Sequence, residues 1–485
     1  MAFTKWLTDV FPDMLWLCAL ISIDLDDGMR AASAALNMID EALKEAKAEG
    51  AVVMDGRLTS LEAVPEQARV AAIAKLQRAQ GYELAVPEDF AHALGMYPGA
   101  PGSWLTEPWK GRGLVIDWEV AQRFLARVIT DAHHGQSDVS TRAKFIALSR
   151  WAKAGKLRLP HDSVMVELFP RYPHGLDEEE KKLAESMARA AFGALVGAAA
   201  QDQAKEGVDW GQEFWRSNWR KFACSFRDPS VASSDTNEVE RAHEALQGQA
   251  QAIHRRFLEV AQTADPDLYS PDRFEVLTGI TAASIRAVAG ASRTPLLWSA
   301  EHGVPILRSI VESLIVLRWL VKRDDPSMFR RFKDYGVGRL KLLKLHLQEY
   351  LDAQDEPSEE LQAYADYLQA EVNQDTFEEY QEIDLSGTFS GLDARKMAAE
   401  VDMEIEYRFV YAPTSAAAHR EWTTLDRYSL ERCENPLHRW HRMPRRDLSV
   451  LIGPEIIETG LSMAEDMVDA YQEAVSRSTG KPSSA

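Results

Sequence analysis

Apolar residues along this chain recur at three- and four-residue intervals, the spacing of amphipathic helices, in almost every long segment. The clearest cases are rich in Ala, Leu, Glu and Lys and are bounded by Gly, Pro or Asp: residues 29–50, 178–201, 237–264 and 460–478. The alternation of apolar and polar residues that marks strands is almost absent. The sequence therefore predicts an all-α fold.

A chain of 485 residues is long for one hydrophobic core, so we expect two helical domains. The stretch 227–238 consists of small and polar residues and precedes a strong helical pattern, which is typical of a domain boundary. We predict an N-terminal helical domain at 1–228, serving recognition or assembly, and a C-terminal helical bundle at 237–476. The tail, 477–485, is predicted to be disordered.

The most apolar helical segment is VPILRSIVESLIVLRWLVKRDD, residues 304–325. Most of its faces are apolar, so we predict that it forms the central helix of the C-terminal bundle. Arg308 and Glu312 lie four residues apart and share one face of this helix. Buried charges need partners, so the pair is either an ion pair at the rim of the bundle or part of an inner polar site.

A second polar set lies within YRFVYAPTSAAAHREW, residues 407–422, and has a member at every fourth position: Tyr407, Tyr411, Ser415 and His419. Each step of four turns about 40° on an α-helix, so the four side chains cover one face about 120° wide. Pro413 predicts a kink or a restart of the helix near Ala412. The set is interpreted either as a buried hydrogen-bond network or as a ligand or catalytic site formed together with Arg308 and Glu312.

Charge excludes one broad class of function and leaves a narrower one open. The net charge of −20 argues against sequence-independent binding to nucleic acid over a wide surface. Two basic segments, 329–344 and 435–447, still offer local sites, although charge runs are usually solvated faces. The second interleaves Trp440 with cations, as contacts to bases and phosphates require. The predicted RNA or phosphate contacts are Arg331, Arg339, Lys341, Arg432, His438, Arg439 and Arg442.

Cysteine usage favours a reducing cytoplasm, because Cys18, Cys224 and Cys433 are scattered and form no CxxC pair. Cys433, His438 and His441 can be read as metal ligands, but a fourth ligand is missing and their spacing fits no standard zinc motif. We therefore predict no metal and no cofactor. Phosphate-binding loops, dinucleotide fingerprints, HExxH and nucleophile elbows are absent from the sequence.

Two further segments bear on partners. The apolar run 14–23 is too short to span a bilayer and lacks the flanks of a signal peptide, so we predict a buried helix after Pro12 and no membrane association. Aromatic residues at helical spacing in 210–222 form either a core or a packing face, or a groove for a protein partner of the N-terminal domain. Long amphipathic helices are compatible with a homodimer.

The pairing of an R-S-x-x-E helix with a later Y-x3-Y-x3-S-x3-H segment resembles a family of uncharacterised bacterial helical domains. The resemblance is carried by ILRSIVESLIVLRWL, by FRRFKDYGVGRLKLLK and by SGLDARKMAAEVDMEIEYRFVYAPTSAAAH, and it covers about residues 250–425. That family is a domain of unknown function found in genomic islands suspected of phage defence. The resemblance implies a helical domain and a defence role, but no known reaction.

A weaker likeness is to HEPN ribonucleases, which are helical, commonly dimeric, and carry an R-x4-6-H motif. In their metal-independent chemistry His transfers protons and Arg stabilises the developing charge. The motif occurs here at Arg432–His438, Arg127–His133 and Arg339–His346. On the order of two such matches arise by chance in a chain this rich in Arg, so the spacing is weak support.

These observations lead to two hypotheses for a cytoplasmic bacterial protein. In the first, the chain is a defence-associated effector, a metal-independent, ribonuclease-like hydrolase acting on RNA or a nucleotide. Its predicted catalytic residues are Arg308, Glu312, Tyr411, Ser415 and His419. In the second, the chain is a non-catalytic helical scaffold or partner-binding protein, and the polar residues only lock helices together.

Overall fold

The computed structural model describes residues 4–47, 52–79, 81–158, 163–202, 210–227, 236–374, 377–446 and 453–477. The chain divides into two compact units, each with a hydrophobic core of its own. The first unit contains Met1–Arg227 together with Arg432–Met443, and the second contains Asp228–Glu431 together with Pro444–Ala485. The second core is thus interrupted in sequence by a short segment that packs with the first.

The predicted all-α fold is confirmed. The described residues contain 22 α-helices, a few single turns of 310 or π type, and only two strands of three residues each. These strands, β1 (Leu430–Arg432) and β2 (Arg442–Pro444), are hydrogen-bonded to each other. They lie at the two ends of the segment 432–443, so this segment is a loop whose ends are held together by strand pairing.

The described part of the first unit contains twelve α-helices: α1 Leu15–Ile21, α2 Leu25–Glu45, α3 Leu58–Glu62, α4 Glu66–Arg78, α5 Tyr82–Ala85, α6 Glu88–Gly95, α7 Glu107–Gly111, α8 Trp118–Ala132, α9 Asp138–Lys153, α10 Val164–Leu168, α11 Glu178–Asp202 and α12 Trp210–Lys221. All seven residues of α1 are buried, as predicted for the apolar run near the start. α1 packs against α2, α6, α8 and α9, so this short helix lies in the middle of the first core.

The aromatic residues of α12 divide between the core and the surface. Trp210 and Phe214 are buried and belong to the first core, whereas Trp219 is 52% exposed. Trp215 packs against the edge of the same core. The predicted core role is therefore confirmed for one side of this helix, and an exposed tryptophan remains on the other.

Residues 432–443 return to the first unit more than 200 positions after α12, although the sequence had placed them in the C-terminal domain. Leu437 is buried in the first core and Trp440 packs against it. The backbone N–H of Glu434 donates to the carbonyl of Ser225 at 2.6 Å, and the side-chain amide of Asn435 donates to the carbonyl of Ala223 at 2.9 Å. Burial and backbone pairing together hold this segment beside the end of α12.

In the second unit, the described residues form ten α-helices: α13 Thr236–Thr263, α14 Asp272–Ser292, α15 Gly303–Arg323, α16 Pro326–Asp352, α17 Glu359–Val372, α18 Ala394–Glu400, α19 Glu404–Glu406, α20 Ala412–Ala418, α21 Trp422–Thr424 and α22 Glu455–Arg477. α15 packs against α14, α18, α20 and α22, so it is the central helix, as predicted. It ends at Arg323, and the next residue, Asp324, adopts a left-handed conformation.

Among the described residues, α14 alone is long and apolar enough to cross a membrane by length and composition. It packs against α13, α15 and α22 in the second unit, and its buried residues include Leu277, Ile285 and Val288. At the other end of the chain, the predicted disordered tail lies outside the described residues from position 478 onward.

A buried arginine provides a test of the first unit. Arg150 is 5% exposed and donates to Asn37 and to the carbonyls of Leu36 and Met54, in addition to its ion pair with Asp40. Arg150→Ala leaves these acceptors without their donor, and we expect a loss of about 3 kcal/mol in the free energy of unfolding. Urea denaturation of the full chain, followed by tryptophan fluorescence, measures this loss.

The matched control is Arg30→Ala, because Arg30 pairs with Asp27 where both side chains are more than 70% exposed. Exposed pairs of this kind contribute little, so the denaturation midpoint of this variant should stay close to that of the unmodified chain. Equal losses in the two variants would contradict the structural role assigned to Arg150.

Candidate functional site

The polar set at 407–419 does not lie on one continuous α-helix. α19 leads into a π-helical turn at Tyr407–Tyr411, and α20 begins at Ala412. The restart near Ala412 agrees with the prediction from Pro413, whose ring nitrogen has no hydrogen to donate to the carbonyl of Phe409. The chain instead closes a wider turn, in which the N–H of Ala412 donates to the carbonyl of Tyr407. Single π-turns of this kind are frequent at functional sites.

The π-turn brings a tyrosine pair next to the charged pair on α15. The rings of Tyr407 and Tyr411 stack, with centroids 5.2 Å apart and planes inclined by 19°. Arg308 donates to the hydroxyl of Tyr411 at 3.0 Å, and its guanidinium carbon lies 5.0 Å from the centroid of that ring. Arg308 also pairs with Glu312 at 3.2 Å. We call Arg308, Glu312, Tyr407 and Tyr411 the arginine–tyrosine cluster.

The electrostatics of this cluster leave hydrogen-bonding capacity unused. The side chain of Arg308 is 25% exposed and that of Glu312 is 41% exposed, so the cluster lies at the rim of the bundle. The Nε atom of Arg308 is buried and has no hydrogen-bond partner among the described residues. Burial, reinforced by the charge of Glu312, raises the pKa of Tyr411, while Arg308 opposes that shift. Tyr411 is therefore a neutral phenol near neutral pH.

Ser415 and His419 are placed differently from the two tyrosines. Ser415 is half-buried, and His419 is exposed at the C-terminal end of α20. In the described part of the chain, the imidazole of His419 has no hydrogen bond or ring contact that joins it to the arginine–tyrosine cluster. The buried hydroxyl in this region belongs to Thr414, which donates to the carbonyl of Val410 at 2.6 Å. Roles for Ser415 and His419 in catalysis remain predictions.

The first basic segment, on α16, is engaged in contacts within the second unit. The ammonium of Lys341 donates to the carbonyls of Glu378 and Gln381, at 2.7 and 2.8 Å. Arg331 lies 3.7 Å from Asp384, whereas Arg339 is exposed. Arg331 also borders a cavity of about 770 Å³ whose lining includes several acidic residues: Asp334, Glu382 and Asp384. Acidic neighbours therefore balance much of the positive charge expected here.

The second basic segment borders a different cavity, entirely within the first unit. This cavity has a volume of about 600 Å³ and is lined by Trp215, Trp219, Leu437, His438, Arg439, Trp440, His441, Arg442 and Met443. We call it the tryptophan–arginine pocket. The guanidinium of Arg439 lies 5.5 Å from the ring centroid of Trp215, and Trp440 packs against the ring of His133 at 4.9 Å. Arg442, which is part of this lining, and Arg432, which precedes the segment, are both exposed.

A tight left-handed turn forms one wall of this pocket. Arg439 and Trp440 have φ angles of 58° and 47°, and the N–H of His441 donates to the carbonyl of His438 at 3.2 Å. Two central residues with positive φ and this closing bond define a type I′ turn, which usually contains Asn and Gly. Each non-glycine residue in this conformation costs on the order of 1 kcal/mol, so the surrounding packing must hold the turn in place.

His438, predicted as a phosphate contact, is only 5% exposed. Its Nδ1 atom lies 3.5 Å from the sulfur of Cys224 and 3.7 Å from the sulfur of Cys433. Burial, helped by the nearby His441, lowers the pKa of His438, so its ring is neutral at neutral pH. The ring therefore faces two thiols rather than offering a cation to solvent.

Cys224 is the residue that reasoning from sequence missed in this region. It lies just beyond α12, more than 200 residues before the turn, and no spacing rule connects the two places. The one available signal was the number of cysteines. The candidate ligand set with Cys433 lacked a fourth member, and only Cys18 and Cys224 could supply another thiolate. Cys18 is fully buried in the first core, which leaves Cys224.

The ribonuclease-type motifs do not form one common arrangement. Arg339 and His346 are both exposed on α16 and lie seven residues apart, about 10 Å along the helix axis. In the Arg432–His438 pair the imidazole is buried against cysteine sulfur. The HEPN likeness therefore remains a prediction.

Comparison with protein families matches residues 275–436 to a family of unknown function, DUF5677. The match covers about a third of the chain and includes α15, the π-turn and α20. It confirms that a domain of unknown function lies in the region where the resemblance was found. No curated protein and no solved structure matches the chain.

The hydroxyl of Tyr411 provides a test of the arginine–tyrosine cluster. Tyr411→Phe removes the acceptor of the Arg308 hydrogen bond and keeps the ring, so we expect unfolding of the second unit to lose about 1 kcal/mol. The same substitution in an Arg308→Ala background should cost much less, because the two side chains act through one bond. Urea denaturation monitored by circular dichroism provides the four free energies.

Tyr407→Phe is the matched control, since this tyrosine stacks on its neighbour and its hydroxyl has no hydrogen-bond partner among the described residues. Its stability should remain close to that of the unmodified chain. Equal costs for Tyr407→Phe and Tyr411→Phe, or full additivity of Tyr411→Phe with Arg308→Ala, would contradict the assigned contact.

Proposed function

We propose that this protein binds RNA or a nucleotide in the tryptophan–arginine pocket of the first unit. The observation that carries this proposal is the convergence of Trp215, Trp219 and Trp440 with Arg439 and Arg442 around one cavity of about 600 Å³. That volume lies within the usual range of small-molecule sites, about 300–1,000 Å³. The pocket is large enough for a base and its phosphate group.

The chemistry of the lining fits such a ligand. Exposed aromatic rings stack on bases, and each stacked base contributes about 1–3 kcal/mol. Trp219, at 52% exposure, offers such a ring face, and Arg439 already lies over the ring of Trp215. Arginine fits phosphate oxygens through paired N–H donors. A local cationic site of this kind is compatible with a net charge of −20, because it needs only a few arginines on one surface.

We extend the proposal to an effector that acts on RNA or a nucleotide through the arginine–tyrosine cluster of the second unit. The arginine–tyrosine cluster supports this extension, because Arg308 keeps one buried N–H without a partner and lies beside a π-turn. Glu312, Ser415 and His419 would supply the further groups that proton transfer needs. A role in phage defence and a ribonuclease-like reaction are parts of this proposal and come from the resemblances.

The second candidate function is a non-catalytic scaffold or partner-binding protein. Two observations favour it: His419 is exposed, and Arg308 forms an ion pair with Glu312 and a hydrogen bond with Tyr411. In this alternative, the arginine–tyrosine cluster fixes the π-turn against α15 and takes part in no reaction.

Binding is tested with a fluorescein-labelled 12-nucleotide oligouridylate by anisotropy and with ATP and GTP by calorimetry. Trp219→Ala should weaken binding by about five- to 150-fold, because one stacking interaction of about 1–3 kcal/mol is lost. Arg439→Ala should weaken it and reduce its dependence on salt. Binding of the oligonucleotide alone would identify RNA as the ligand, and binding of ATP or GTP alone would identify a nucleotide.

Trp118→Ala is the matched control, since Trp118 is 51% exposed in the same unit and does not line the pocket. Its affinity should equal that of the unmodified protein. Absence of binding to every probe, or equal weakening by Trp118→Ala and Trp219→Ala, would refute the proposed pocket.

The reaction is tested by expressing the chain in bacteria and measuring growth and RNA integrity. An effector should slow growth, and Arg308→Ala or His419→Ala should relieve the effect. Arg318→Ala, on the same helix and 3.7 Å from Asp466, should not relieve it. A scaffold would instead show intact RNA, a lower melting temperature for Arg308→Ala, and unchanged partner binding in the folded fraction.

A further inference from the structure

Four side chains that can ligate a metal converge in the first unit. They are Cys224, just after α12, and Cys433, His438 and His441, on the returning segment 432–443. One ligand atom of each lies within 4.8 Å of every other. Cys433 and His438 are buried, and Cys224 and His441 are half-buried. No other group of three or more such residues converges in this way within the described residues.

The distances fit a tetrahedral ion rather than a loose cluster. The sulfur of Cys224 lies 3.5 Å from Nδ1 of His438 and 3.6 Å from Nε2 of His441, and the sulfur of Cys433 lies 3.7 Å from Nδ1 of His438. Zinc–sulfur bonds of about 2.3 Å and zinc–nitrogen bonds of about 2.05 Å, at tetrahedral angles, give a sulfur–nitrogen separation of about 3.6 Å. The three separations agree with this value.

The outer nitrogen of one of the two imidazoles is hydrogen-bonded as a metal-bound imidazole requires. Nδ1 of His441 lies 3.2 Å from the carbonyl oxygen of His438, which accepts its hydrogen and leaves Nε2 with a free lone pair. Nε2 of His438 is buried and has no hydrogen-bond partner among the described residues.

The backbone of the returning segment presents its three ligands together. The type I′ turn at Arg439 and Trp440 brings His438 and His441 to the same side, and the N–H of Cys433 donates to the carbonyl of His441 at 2.9 Å. A left-handed turn of two non-glycine residues needs an interaction that over-determines it. Binding of both histidines to one ion would be such an interaction.

We propose that Cys224, Cys433, His438 and His441 bind one zinc ion in a closed structural site. Two thiolates and two imidazoles form the ligand set that selects zinc over magnesium or calcium. Four protein ligands leave no coordination position for substrate, so the ion would stabilise the fold and carry out no reaction. The thiols would release protons on binding, so the affinity should fall at acidic pH.

The position of the site explains what the ion would stabilise. Cys224 and Cys433 are more than 200 residues apart, and a metal that closes so long a loop removes much freedom from the unfolded chain. The ion would hold the returning segment against the end of α12. The rings of His438 and His441 lie 5.1 and 4.8 Å from the ring of Trp219, so the same ion would fix one wall of the tryptophan–arginine pocket.

Two arrangements without a metal would also bring these four residues together, and the experiment below must distinguish them from a zinc site. In one, the two thiols donate weak hydrogen bonds to the two imidazoles, whose ring nitrogens accept them. In the other, Cys224 and Cys433 form a disulfide. Either arrangement would leave the protein folded without zinc.

The experiment measures zinc in the full chain, purified without a metal-affinity tag and dialysed to remove loosely bound ions. Elemental analysis by inductively coupled plasma mass spectrometry should find about one zinc per chain, and Cys224→Ser and His441→Gln should lower this zinc content several-fold. Cys18→Ala and His134→Gln, which change a cysteine and a histidine outside the cluster, should leave it unchanged. Equal zinc contents in all five proteins would show adventitious binding and overturn the proposal.

Cobalt provides a second measurement that does not depend on the folding of the variants. The unmodified protein reconstituted with cobalt should show the intense visible absorption of tetrahedral thiolate coordination, and zinc should displace it. A folded, zinc-free protein that gives no such spectrum under reducing conditions would overturn the proposal. A Cys224–Cys433 disulfide in protein purified from the cytoplasm would overturn it as well.

The test of the zinc site can be distinguished from the test of RNA or nucleotide binding. Trp219→Ala removes a ring that contributes no ligand atom, so this variant should keep its zinc even if it loses RNA or nucleotide. Zinc in a protein that binds neither probe would refute the pocket alone, and binding by a zinc-free protein would refute the metal site alone.

Discussion

The packing of residues 432–443 against the end of α12 is the interaction on which the first unit's candidate sites depend. Leu437 buries itself in the first core, Asn435 and Glu434 pair with the backbone at 223–225, and Trp440 covers His133. If this segment were released, the pocket would lose seven of its nine lining residues, those from Leu437 to Met443, and the cysteine–histidine cluster would lose three of its four ligands. Residues 432–443 and the end of α12 thus form together a surface that neither segment forms by itself.

The second unit depends on a different constraint, the absence of an N–H at Pro413. A continuous helix through this residue would leave the carbonyl of Phe409 without its usual donor and would crowd it against the proline ring. A π-turn precedes the proline instead, and the hydroxyl of Tyr411, the last residue of that turn, accepts a hydrogen bond from Arg308. The contact with the charged pair therefore lies two residues before the proline.

The domain of unknown function at 275–436 and the cysteine–histidine cluster overlap in one ligand only, Cys433. The arginine–tyrosine cluster lies wholly within the matched region, whereas the other three candidate metal ligands lie outside it. The two candidate sites are therefore built from different parts of the chain, and substitutions in one unit can be used as controls for the other.

Local patterns in the sequence were sufficient for the fold class, the buried helix near the start, the central position of α15 and the restart at Ala412. Each of these follows from interactions within a few turns of helix, where side-chain spacing and a missing N–H act directly. The meeting of Arg308 with Tyr411 was predicted as a possibility, because buried charge needs a partner. The tertiary structure decided which members of the polar set reach it, and it left His419 exposed. It also decided that Cys224 meets His438, since closing a loop of more than 200 residues depends on the packing of a whole core and leaves no periodic trace along the chain.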